Sequence, residues 1–161
     1  MFKVLSHGDN KHRLEDSAGE HVGWVHGHAI GFRGFVTQDD ARDAAIAARK
    51  ALDAALERQY LGWPRREPIL DRVRTVHDGA YEWFTDGTAP IARLLRPQRR
   101  AYDSSYGIEL VLPSFASEGV AITVACSVAS AIAPYRDAFT DAVDRSPRNA
   151  EPIEVEMPVP L

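Results

Sequence analysis

The sequence predicts an α+β fold of antiparallel meander sheets, one long alanine-rich helix over residues 38–60 and a second, shorter helix near the C-terminus. Three observations carry this expectation. Two Asp-Gly pairs, Asp78-Gly79 and Asp86-Gly87, stand eight residues apart between segments rich in β-branched and aromatic residues, which is the spacing of successive hairpins. Thr37-Gln38-Asp39-Asp40 opens a helix as the acidic variant of a capping box. Behind it, Ala41, Ala44, Ala45, Ala48, Leu52, Ala55 and Leu56 recur at i, i+3, i+4, i+7 spacing, the stripe of a one-sided helix.

In chain order, residues 11–36 read as extended. His12 to Asp16 and His21 to Val25 form strands around the turn-rich Ser17-Ala18-Gly19-Glu20. His26-Gly27 offers a two-residue hairpin turn, and His28 to Phe32 the return strand. The helix follows. Asp39, Asp40 and Asp43 lie in its first turns and Arg58 near its end, as the helix dipole favours, and Gly62 and Pro64 stop it. Its small side chains would let it approach a sheet closely, with Gly23, Gly31 and Gly34 allowing the same from the other side.

Residues 61–68 read as a connector. Val73 to Val76 and Ala80 to Phe84 are strands around Asp78-Gly79, and a third spans Thr88 to Leu95, with Pro90 placing it at an edge or a bulge. A polar loop over 97–105 leads to a strand over 107–112. For 118–133, Val120, Ile122, Thr123 and Val124 favour a strand through 120–126. The alternative is a helix capped by Ser117. Pro134 suits the first position of a helix that runs to Asp144. The organisation expected is a strand-hairpin-plus-helix unit over 1–62, a mixed unit over 63–146 and a proline-rich tail over 147–161. Trp24, Gly27, Ala29, Ile30 and Arg33 match Trp83, Gly87, Ala89, Ile91 and Arg93 at offsets of 59 to 61, a hint of two strand-strand-helix halves.

Composition narrows the function classes. A chain of 161 residues buries enough surface to fold without metals or disulfides. The single cysteine, Cys126, lies in an apolar run, which suggests an inert thiol in a reducing compartment. No secretory leader is read at the N-terminus, and no run of about 18 apolar residues appears, because Thr123, Ser127 and Ser130 interrupt 119–133. A cytoplasmic protein without membrane contact is expected. Sixteen of the nineteen basic residues are arginine and alanine is abundant, which fits a bacterial coding sequence of high GC content.

Motif chemistry is sparse. Gly27, Gly31 and Gly34 miss the spacings of dinucleotide and phosphate loops, and the acidic helix start would repel a phosphate. His21, His26 and His28 cluster, but no Cys partner and no His-Glu-x-x-His pattern accompanies them, so neither metal nor other cofactor is expected. No Gly-x-Ser-x-Gly elbow or Ser–base pair stands in the sequence. The remaining candidate is the arginine-rich middle, with eight arginines against five acidic residues between 65 and 100, and Trp63, Tyr81, Trp83 and Tyr102 interleaved. Arginine with aromatics can grip phosphate and stack on bases, which singles out Arg93, Arg96, Arg99, Arg100 and Trp83 as contact residues. A net charge of −4 gives no overall attraction to nucleic acid. A non-catalytic binding or protein-interaction domain with self-association is therefore expected. Nucleic-acid binding through 65–100 is the alternative, and a small enzyme without a recognisable motif is the second.

Overall fold

Alternation of apolar and polar residues with a period of two puts one side of each strand towards a core and the other towards solvent. That rule builds most of this protein. The computed structural model describes residues 2–98 and 104–144, with side chains as far as Arg136 in the last helix. Among the described residues there are eight strands: β1 (Lys3–Ser6), β2 (Lys11–Glu15), β3 (His21–His26), β4 (Ala29–Phe35), β5 (Arg74–Asp78), β6 (Tyr81–Thr85), β7 (Pro90–Leu95) and β8 (Tyr106–Val111). Helix α1 (Gln38–Gln59) follows β4, helix α2 (Glu118–Asp144) follows β8, and a single 3₁₀ turn covers Leu70–Arg72. This is the expected α+β class. The proline-rich tail from 147 lies outside the described residues.

All eight strands form one antiparallel sheet in the order β1-β2-β3-β4-β8-β7-β6-β5. The chain thus lays down four strands and a helix, and then lays down four strands and a helix again in mirror order about the β4–β8 pair. The repeating unit is four strands and a helix rather than two strands and a helix. The match of Trp24 with Trp83 therefore aligns the third strand of one half with the second strand of the other. In the topology the counterpart of β4 is β8, and that of α1 is α2. Each helix covers the strands of the opposite half. Helix α1 packs mainly on β7 and β8, α2 on β4 and β3, and the two helices pack on each other.

Helix α1 forms as its sequence directs. The Thr37 side chain accepts from the Asp40 N–H at 3.0 Å, and Gly62, at φ +80°, follows the last turn. Ala41, Ala44, Ala45, Ala48, Leu52, Ala55 and Leu56 are all buried. Their small size serves the contact with α2 as well as that with the sheet. The glycines expected to meet them have other neighbours. A Cβ on Gly23 would collide with the Phe32 ring, on Gly31 with the Trp24 indole, and on Gly34 with the Arg136 guanidinium.

Helix α2 corrects the strand expected over 120–126. Residues 118–144 are one helix of 27 residues, longer than the 22 of α1, and Pro134 lies inside it rather than at its start. The physical reason is periodicity. The buried residues Ala121, Val124, Ala125, Val128, Ala129 and Ile132 recur at helical spacing. Burial of that stripe outweighs the modest helix penalty of the β-branched residues. Ser117 begins the helix by accepting from the Val120 N–H at 3.2 Å. Glu118–Arg136 is also long and apolar enough to cross a membrane by length and composition, which the interruptions at Thr123, Ser127 and Ser130 do not prevent. Here that segment packs against α1, β3 and β4.

One hairpin detail also differs from expectation. The β3–β4 turn is Gly27-His28, closed by the His26–Ala29 pair, rather than His26-Gly27. Of the two settings expected for Pro90, the structure has the bulge: β7 lies inside the sheet between β6 and β8, and the β6–β7 register shifts beside Pro90.

Candidate functional site

With both helices on one face, the other face of the sheet is set by the alternate residues. One cross-strand row runs through all eight strands as Leu5, Arg13, Trp24, Gly31, Glu109, Arg93, Trp83 and Val76. Apart from Gly31, which the Trp24 indole covers, every member is half-buried, whereas the flanking row positions Leu14, Phe32, Ile108 and Leu94 are buried. The open face therefore carries two tryptophans, one from each half, in the same row as arginines. Gly31 is what allows this on β4. Without a side chain it leaves the pleat low enough for Trp24 to lie flat across it, since an added Cβ would come within 2.0 Å of the indole.

Electrostatics on this face are paired. Arg93 donates to Glu109 at 2.9 Å, and its guanidinium lies 4.2 Å from the centroid of the Tyr81 ring, a cation–π contact. Arg13 Nε stands 3.2 Å from a Glu15 carboxylate oxygen. Arg33 donates to the main-chain oxygens of Ser105 and Arg96, at 2.6 and 3.3 Å. Arg33, Tyr81, Arg93, Leu95 and Arg96 help to line an open cleft of about 310 Å³ at the end of this face. At this end Gly34, at φ +116°, forms a bulge in β4, and Arg136 from α2 donates to the Arg33 carbonyl at 2.6 Å.

Of the residues singled out in the sequence, Arg93 and Trp83 are cross-strand partners on this face. Arg96 follows the last residue of β7 and forms a two-pronged pair with Glu82, whose register partner is the core residue Leu94. It reaches the cleft from its rim and does not share the row of Arg93. The same pair holds the Glu82 carboxyl below its ordinary range and the Arg96 guanidinium above its own. Arg99 and Arg100 lie outside the described residues, as does Tyr102. Trp63 belongs elsewhere, with its indole N–H pointing to the buried Asp53 at 3.3 Å. Sequence reasoning missed Trp24, Arg13, Arg33 and Glu109 because the row exists only once register is known.

The other chemical candidates separate in the structure. His21 begins β3 and bonds the Gly23 carbonyl at 3.0 Å, with burial and Arg13 lowering its proton affinity, while His26 ends the strand and His28 occupies the turn. Among the described residues no group of three or more His, Cys, Asp or Glu is placed to hold a metal. Cys126 is half-buried, and desolvation raises its pKa, which keeps the thiol protonated. No family model matches this chain, and neither a curated protein nor a solved structure matches it.

Proposed function

We propose that this protein is a binding module that presents the open face of its sheet to a protein partner, a second copy of the chain included, and that performs no chemistry on that face. The observation that carries the reading is the single row in which Trp24, Trp83, Arg13, Arg93 and Glu109 stand on one solvent-facing side. Tryptophan, tyrosine and arginine are the residues enriched at protein interfaces and at their energetic centres. The pairing of Arg93 with Glu109 and of Arg13 with Glu15 suits a charge-balanced protein surface better than a phosphate backbone. The lone, half-buried cysteine is compatible with a reducing compartment, and we place the protein in the cytoplasm.

A second reading, binding of single-stranded nucleic acid, is favoured by one observation. Arg33, Arg93 and Arg96 converge with Tyr81 on the cleft at the end of the face. One set of measurements separates the two. Light scattering of wild type and of Trp83→Ala across concentration, together with capture of partners on immobilised protein, should give association that Trp83→Ala weakens at least tenfold and that salt changes little. Binding to mixed-sequence single-stranded DNA, with log affinity falling linearly against log salt, would establish the second reading instead. A monomer whose captured partners are the same with and without Trp83 would overturn the first.

A further inference from the structure

On the helix-covered side of the sheet, at its β1 edge, three chemically active side chains meet from three separate elements. Ser6 ends β1, His12 is its cross-strand partner on β2, and Glu118 stands in the first turn of α2, 106 residues further along the chain. A Glu118 carboxylate oxygen lies 2.6 Å from His12 Nε2, and the Ser6 hydroxyl lies 2.9 Å from His12 Nδ1. His12 is 5% exposed, whereas Ser6 is exposed and Glu118 is about half exposed.

The hydrogen-bond directions follow from chemistry. An ionised carboxylate can only accept, so in the neutral imidazole Nε2 carries the hydrogen and Nδ1 presents its lone pair to Ser6. The Ser6 hydroxyl then donates to a base that a buried position and a carboxylate hold in one tautomer. This is the order of nucleophile, base and positioning carboxylate that activates a hydroxyl. The two ring nitrogens are used in the reverse sense from the familiar serine-protease triad, which neutral imidazole permits because either nitrogen can be the base. The arrangement is held by backbone. Ser6 and His12 are register partners, the His7 N–H donates to the Lys11 carbonyl at 2.8 Å, and Ser117 caps the turn that carries Glu118.

We propose that Ser6 is an activated nucleophile that accepts acyl groups from small activated esters, with His12 as its general base and Glu118 as a positioning residue. The Ser6 oxygen forms a bond to the ester carbonyl carbon while its proton passes to His12 Nδ1. Collapse of the tetrahedral species breaks the bond to the leaving alcohol, which departs with that proton. Water, deprotonated by His12, then attacks the acyl-serine and releases the carboxylic acid, with the proton returning to Ser6. The net reaction is ester plus water to acid plus alcohol. Exposure of Ser6 at the sheet edge suits small acyl donors arriving from solvent. The site is independent of the open face, which lies on the opposite side of the sheet.

The test is covalent labelling of the full chain. A fluorophosphonate probe reacts by forming the Ser6 oxygen–phosphorus bond with loss of fluoride, and peptide mass spectrometry locates the adduct. One adduct on Ser6 is expected, absent in Ser6→Ala. General-base catalysis contributes about 10²–10⁴-fold, so Glu118→Gln, which removes the charge but keeps an acceptor for Nε2–H, should slow labelling at least tenfold. Ser6 and Glu118 are exposed, and circular dichroism checks that both variants fold. Absence of label on wild type, an adduct on another residue, or an unchanged labelling rate in Glu118→Gln would each overturn the proposal.

Discussion

Asp86 shows how one side chain can organise a loop. It is 1% exposed, yet its carboxylate accepts from Arg66 Nη1 at 2.7 Å, from the Ile69 N–H at 3.0 Å and from the Thr88 N–H at 2.9 Å. One residue thereby ties the connector before β5 to the β6–β7 turn. These donors, Arg66 first, hold the Asp86 carboxyl well below its ordinary range. The folded protein therefore binds this proton more weakly than the unfolded chain, whose Asp titrates near about 3.9. The resulting stability is present above that pH and is lost as pH falls through and below it. Asp86→Asn should lower unfolding free energy by about 1.5–3 kcal/mol at pH 7, the range for hydrogen bonds to a charged group. Urea melts at pH 7 and pH 3 should show that difference narrowing at the lower pH. In the sequence this residue reads only as the first half of an Asp-Gly turn. The turn was legible there, but the buried anchor was not, because Arg66 and Ile69 lie 20 and 17 residues upstream.

At the scale of elements, local signals and packing signals part company. Helix α1 was legible because its cap, its charges and its apolar stripe agree. Its N-cap can be tested alone. Thr37→Ala leaves the Asp40 N–H without its side-chain acceptor and should cost about 1 kcal/mol. For a chain of this size that corresponds to a melting-temperature fall of roughly 2–4 °C, measurable by thermal circular dichroism. Helix α2 was misread over 120–126 because β-branched residues crowd its first turns. Their preference for strand is worth less than a stripe from Ala121 to Ile132 that closes against α1 and β4. The same logic moves the alanines of α1 from a purely sheet-facing role to a shared one, since they also meet the second helix.

At the scale of the molecule, the crossed arrangement of helices makes the halves depend on each other. Helix α1 follows β4 directly yet covers β7 and β8, while α2 returns to cover β4 and β3. A fragment of residues 1–62 would expose the buried sides of β3 and β4, including Val25, Ile30 and Phe32, and would leave the stripe of α1 without its main partners. That fragment should show no cooperative unfolding transition by urea titration, whereas the full chain should unfold in one step. A fragment that melts cooperatively would contradict the interlock. The open face belongs to this scale too, because its row of eight residues draws on every strand of the sheet.

The sequence alone determined the local elements of this protein: the α+β class, the capped helix, the hairpins around its Asp-Gly turns and the pairing of arginine with aromatics near Trp83. Each of these rests on hydrogen bonds or periodicities spanning a few residues. Only the tertiary structure decided that the sheet is continuous, that α2 begins at Glu118 and that each helix crosses to the other half. It also decided that Trp24 joins Trp83 on one face and that Ser6, His12 and Glu118 meet. Those outcomes depend on strand register and on burial shared between residues up to 106 positions apart, and no local pattern encodes them.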